Sequence, residues 1–152
     1  MSCGNFNKIR VIIMEANELT SRDLMVGDWL KHYNGTPVQV TKITTEHFAC
    51  AENGGVNCWE YNNKYEPIPL TPEILKKNGF ELDDIIKDYR LYTGIDNRVT
   101  AHNDKEYMNS NNEWYVHVDS EDFCSIANCE LTYVHELQHL LRLCKIDKEI
   151  KL

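Results

Sequence analysis

Between residues 26 and 61, four short runs rich in β-branched and aromatic residues alternate with turn dipeptides, and this pattern limits the fold more than any other feature. "VGDWLKHY" (26–33) meets Asn34-Gly35 and then "TPVQVTKITT" (36–45). Asn-Gly between two such runs predicts a hairpin closed by a type I′ turn, which needs positive φ at both central residues. "HFACAE" (47–52), Asn53-Gly54-Gly55 and "VNCWEY" (56–61) continue the series. Pro37 lacks an amide proton and belongs at a strand start or an edge. Strands this short bury one face only by curling, so the expectation is a small SH3-like β-barrel over residues 22–66, with residues 1–21 as an N-terminal extension.

The next segment, "YEPIPLTPEILKKNGF", is held extended by Pro67 and Pro69 and reads as a linker. Thr71 as N-cap, Pro72 at the first helical position and Gly79 beyond the end predict a short helix over 72–78. Strand-like runs follow at 89–93, 98–102 and 113–118, with a fourth around 123–127, and the chain ends in a helix. In 113–118, Trp114, Val116 and Val118 alternate with Glu113, Tyr115 and His117. The expected class is α+β: the barrel, then over 67–152 a short helix, an antiparallel β-meander and a C-terminal helix.

The terminal helix carries the strongest chemical signal. His135-Glu136-Leu137-Gln138-His139 spells H-E-x-x-H. In zinc peptidases two histidines four apart share one helical face and a metal, while the glutamate acts on the metal-bound water as general base. The wheel argues otherwise. Val134, Leu137, Leu141 and Cys144 form one stripe, leaving His135 and His139 opposite, beside Gln138 and Arg142, and predicted to face solvent. A third ligand is also missing. The metzincin glycine and third histidine would fall at Arg142 and Lys145, only Glu149 follows in gluzincin fashion, and no spacing demands His102 or His117. The expectation is therefore no metal and no catalytic residue, with Glu136 as general base and His135 and His139 as ligands in the rival zinc-hydrolase reading.

Charge and cysteines narrow the class. The net charge is −8, with 6 basic and 8 acidic groups in residues 1–70 and 10 and 16 in residues 71–152. Such a field repels phosphate backbones, which disfavours nucleic acid as a partner. No apolar run reaches the roughly 18–20 residues needed to span a bilayer, and Val11-Ile12-Ile13-Met14 is too short for a signal-peptide core. A cytoplasmic chain is expected. Cys3, Cys50, Cys58, Cys124, Cys129 and Cys144 contain no C-x-x-C pair and are expected to be thiols acting as small hydrophobes.

Trp29, Tyr33, Trp59 and Tyr61 lie on the predicted barrel strands, where they either fill the core or grip a peptide or bases. Core filling is the expectation. Asp83-Asp84 and Asp119-Ser120-Glu121-Asp122 lack EF-hand spacing and read as solvated loops. His32, His47, His102 and His117 are isolated in sequence. There is no nucleophile elbow and no Walker or Rossmann glycine loop, so no cofactor is expected. Asn34-Gly35-Thr36 spells a glycosylation acceptor but is read as a turn.

Three boxes resemble a family of small uncharacterised proteins from prophages and mobile elements of gut Bacteroidetes. They are "MEANELTSRDLMVGDWLKHYNGTPVQVTKI" (Met14–Ile43), "EPIPLTPEILKKNGF" (Glu66–Phe80) and "YVHELQHL" (Tyr133–Leu140). The family shows "ANELRIGNWV…NG…VTGI", "EPIPLT…ILLKCGF" and "KYVHELQN". The resemblance implies no assigned activity, an extension over residues 1–13, and an asparagine often standing at the position of His139. Together these observations predict a non-enzymatic accessory protein that binds another protein, of unstated oligomeric state.

Overall fold

A computed structural model of the chain describes residues 19–52, 58–59, 64–93, 97–103, 113–120 and 125–152. The first sheet comprises β1 (Trp29–His32), β2 (Pro37–Ile43), β3 (Phe48–Ala51), β4 (Cys58–Trp59) and β5 (Tyr65–Pro67), ordered β4-β3-β2-β1-β5 and antiparallel throughout. Among the described residues β4 and β5 do not pair, so the sheet is open there and a closed barrel is not shown. Its apolar face joins Leu19, Leu24, Leu30, Val38, Val40, Phe48, Cys50 and Tyr65 in one core.

Two expectations are corrected here. The Asn34-Gly35 hairpin forms, but Gly35 alone takes a left-handed φ, at +90°. Gly35 N donates to His32 O, His32 N donates to Thr36 O and Asn34 Oδ1 accepts from Thr36 N, so residues 33–35 form a three-residue hairpin loop with glycine at its left-handed position. The linker is in part a strand. Tyr65–Pro67 pairs with β1, Leu30 opposite Pro67, because an edge strand tolerates the missing amide.

The second sheet contains β6 (Glu81–Leu82), β7 (Tyr89–Thr93), β8 (Asn97–His102), β9 (Trp114–Ser120) and β10 (Ser125–Leu131), an antiparallel meander ordered β10-β9-β8-β7-β6. Helix α1 (Pro72–Lys77) precedes it, its N-terminus capped by Thr71, whose hydroxyl accepts from Ile74 N at 3.4 Å. Helix α2 (Val134–Leu143) closes the architecture. Strict alternation puts Val99, Ala101, Val116 and Val118 on one face of the sheet, in a core with Leu137 and Leu141 from α2. The tail returns across this core through Ile146 and Ile150, and Asn78 clips its end by accepting from Lys151 N at 2.8 Å and donating to Lys151 O at 2.7 Å. No described helix is long and apolar enough to cross a membrane.

Leu137 is fully buried whereas Leu143, six residues on, is 67% exposed. Leu137→Ala should therefore cost about 2–5 kcal/mol through lost burial and a residual cavity. Leu143→Ala should stay within about 0.5 kcal/mol. Urea unfolding midpoints of the two variants check this.

Candidate functional site

Helix α2 is covered on both sides. Its apolar stripe enters the second core as predicted, but the opposite stripe is not a solvent face. His135 is 3% exposed, Gln138 5% and Glu136 9%. The expectation of outward, solvated imidazoles is thus corrected. The turn that leads into β1 lies over this stripe, and a helical wheel cannot reveal a second packing layer.

Asp28 is the centre of the contact. Its side chain is fully buried. Oδ2 accepts from Met25 N at 2.7 Å and lies 2.6 Å from His139 Nε2, while Oδ1 accepts from Arg142 Nη1 at 2.8 Å. A carboxylate only accepts, so His139 carries a hydrogen on Nε2. Gln138 holds the adjoining backbone from both directions: its Nε2 donates to Gly27 O at 3.0 Å, and its Oε1 accepts from Trp29 N at 3.0 Å. Gly27 O also accepts from Gln39 Nε2 at 3.4 Å, so the Gln138 amide shares that carbonyl and adds an acceptor for the Trp29 amide. Gly27 has a φ of +91°, a left-handed conformation that favours glycine, and a Cβ there would lie 3.1 Å from Arg142 Nη2, the end of a side chain that would have to shift slightly.

Glu136 serves its own helix. Its Oε2 accepts from Thr132 N at 2.6 Å and Tyr133 N at 2.9 Å, the backward half of a capping box. Burial pushes its carboxyl up, and the two backbone donors and His139 pull it down. His135 stacks on Tyr133 at 5.8 Å and meets His139 edge-on at 5.7 Å between ring centroids. Its Nδ1 is buried without a hydrogen-bond partner. Burial, aided by His139 and opposed by Asp28 and Asp23, pushes the imidazole down to about 4.

The remaining sequence candidates are dispersed. His102 and His117 stack on each other at 5.4 Å on the face of the second sheet away from α2, because Ala101, Val116 and Val118 occupy the near face. They cannot supply a third ligand. Among the described residues no three His, Cys, Asp or Glu side chains are placed to hold a metal. Trp29 packs on the second core, and its Nε1 donates to Ile150 O at 2.7 Å. Tyr33 is 65% exposed under the Lys64 ammonium, 4.7 Å from the ring centre. The Trp59 side chain and Tyr61 lie outside the described residues, as do Glu121, Asp122, Cys3 and Cys124. Asp83 and Asp119 are paired with Arg90 and Arg98. Cys129 and Cys144 are unbridged thiols raised by burial.

Sequence reasoning missed Asp28 and Gln138. One signal existed: an aspartate between Gly27 and Trp29 in a strand-like run, where charged residues are depleted.

Two outcomes follow from this geometry. Asp28→Asn should cost about 2–3 kcal/mol in thermal or urea unfolding, since it weakens charge-assisted bonds to Arg142 and His139. The second concerns pH. His135 has an ordinary value of 6.5 and a folded value of about 4, so the unfolded chain binds the extra proton between them. Stability from this group is whole above pH 6.5 and falls as pH drops towards 4, by on the order of 3 kcal/mol. His135→Phe should flatten that part of the stability–pH curve, and an unchanged slope would refute the assignment. No family model, curated protein or solved structure matches the chain, so its function rests on the geometry of this seam.

Proposed function

We propose that the protein is a non-enzymatic accessory protein, carried by a phage or mobile element, that binds another protein in the cytoplasm. One observation carries the non-enzymatic part of this reading: the groups a zinc hydrolase would require are used to build the fold. The Glu136 carboxylate receives the amides of Thr132 and Tyr133, and the His139 ring rests on the buried Asp28. A general base must be free to reach a water shared with two converging imidazoles. Here the carboxylate turns back towards the helix start.

The binding role draws on the three sequence boxes, the acidic surface and the absence of a nucleotide or nucleophile motif. The SH3-like reading of the first sheet draws support from its strand order, a meander β1–β4 with β5 returning beside β1. Exposed Tyr33 gives that sheet an aromatic surface group suited to a peptide. The net charge disfavours a nucleic-acid role for the module.

The second reading, a zinc-dependent hydrolase, is favoured by the unpartnered His135 Nδ1 beside His139. Elemental analysis of protein purified without chelator separates the two. Zinc well below one per chain, unchanged in His139→Ala, is expected. One zinc per chain that disappears in His139→Ala would instead establish the metal site. For the binding role, immobilised protein should retain a defined nuclease-insensitive protein from an extract of its bacterial host. Recovery of background alone would count against it.

A further inference from the structure

A cavity of about 340 Å³ lies outside the seam, beside α1 and the start of the meander. Its lining includes Leu70, Pro72, Leu82, Lys87, Tyr89 and Trp114. The floor is rigid: Trp114 is 2% exposed, its Nε1 donates to Leu70 O at 2.9 Å, and Tyr89 meets it edge-on at 5.7 Å. A mostly apolar hollow of this size, with Thr71, Lys87 and Asn103 as its polar wall, suits a short aliphatic anchor.

The same part of the molecule presents such an anchor. Ile85 is 92% exposed and Ile86 49%, at the tip of the turn between β6 and β7. The tip is held in shape by Asp83, whose Oδ1 accepts from Ile85 N at 3.0 Å and Ile86 N at 3.2 Å while Oδ2 pairs with Arg90 at 3.0 Å. Lys87 N donates to Asp83 O at 2.7 Å, and Asp83 N donates to Asp88 O at 2.8 Å. Scattered apolar side chains on a surface are ordinary, but two adjacent isoleucines on a fixed turn form a pre-organised contact.

Tip and pocket adjoin. Leu82 and Lys87, which flank the tip in sequence, are both in the pocket wall. A two-fold axis beside them would bring each tip to the other copy's pocket, the reciprocal geometry of an isologous interface. The charges agree with this pairing. The tip carries Asp84, 87% exposed, and the pocket rim carries Lys87, 72% exposed; within one chain they are 3.8 Å apart and largely in water. An arriving tip would set its Asp84 against the Lys87 of the pocket it enters, exchanging the exposed pair within a chain for one between chains.

We propose that the chain forms a two-fold dimer in which the Ile85–Ile86 tip of each copy seats in the Leu70–Trp114 pocket of the other, with Asp84 meeting Lys87 across the contact. This goes beyond the accessory-protein reading and does not depend on it. Net charge opposes self-association, so the dimer should be assayed near 0.15 M salt, where a Debye length of about 8 Å screens the long-range field.

The test is sedimentation equilibrium over micromolar to millimolar protein. The wild type should be a concentration-dependent dimer, and Ile85→Asp a monomer over the same range. Asp84→Lys and Lys87→Asp should each weaken dimerisation roughly tenfold, because each homodimer then contains two like-charge contacts. All three positions are on the surface, and aspartate tolerates the left-handed backbone of Lys87 (φ +61°), so the variants should remain folded. Mixing the two charge variants decides the matter. Their heterodimer has opposite charges at both contacts and should recover wild-type affinity. A monomeric wild type, a dimer indifferent to Ile85→Asp, or no recovery on mixing would each overturn the proposal.

Discussion

The Asp28 carboxylate, wholly enclosed and bonded to Met25, His139 and Arg142, is the interaction on which the relation of the two sheets depends. An ionised group without water is tolerated only when its lone pairs are matched, and an unmatched one costs several kcal/mol. That requirement fixes more than one contact. It sets which face of α2 turns towards β1, and it places Arg142 beside residue 27, whose φ of +91° favours glycine. The Gln138 amide then joins the Gly27 and Trp29 backbones to the same helical face. Helix α2 is consequently a shared wall. Leucines on one side complete the second core, and polar side chains on the other grip the first sheet.

This role accounts for the residue types of the H-E-x-x-H stretch without a metal-centred explanation. Val134 opens the helix, so Glu136 falls at its third position, where a carboxylate reaches back to otherwise unpaired amides. His139 is a hydrogen-bond donor to a buried acid. His135 is an aromatic spacer between Tyr133 and His139, kept neutral because its site excludes water. The spelling of the motif carries chemical meaning only with its place along the helix and with what covers it.

Much of the fold was legible because it depends on local periodicity. Alternation identified β9 and its buried face, Thr71-Pro72 identified the start of α1, and Asn34-Gly35 located the first hairpin. What escaped was short or non-local. Two-residue β6 has no period to detect. β5 was hidden because Pro67 reads as extended chain whether or not a neighbour pairs with it. The turn type was misjudged because Asn-Gly serves a three-residue loop with one left-handed glycine as well as a two-residue loop with two left-handed residues. Of the candidate site, the helix and its residues were visible, and the partner more than a hundred positions away was not.

By itself the sequence determined most of the longer strand segments, the two helices, the apolar stripe of α2 and a net negative charge, since each follows from residue spacing or count. Only the tertiary structure decided that the polar stripe of α2 is buried. The reason is that burial of a polar face depends on a complementary group brought from elsewhere in the chain. Asp28 and His139 are 111 residues apart, and no local pattern records that the two will meet in a hydrogen bond.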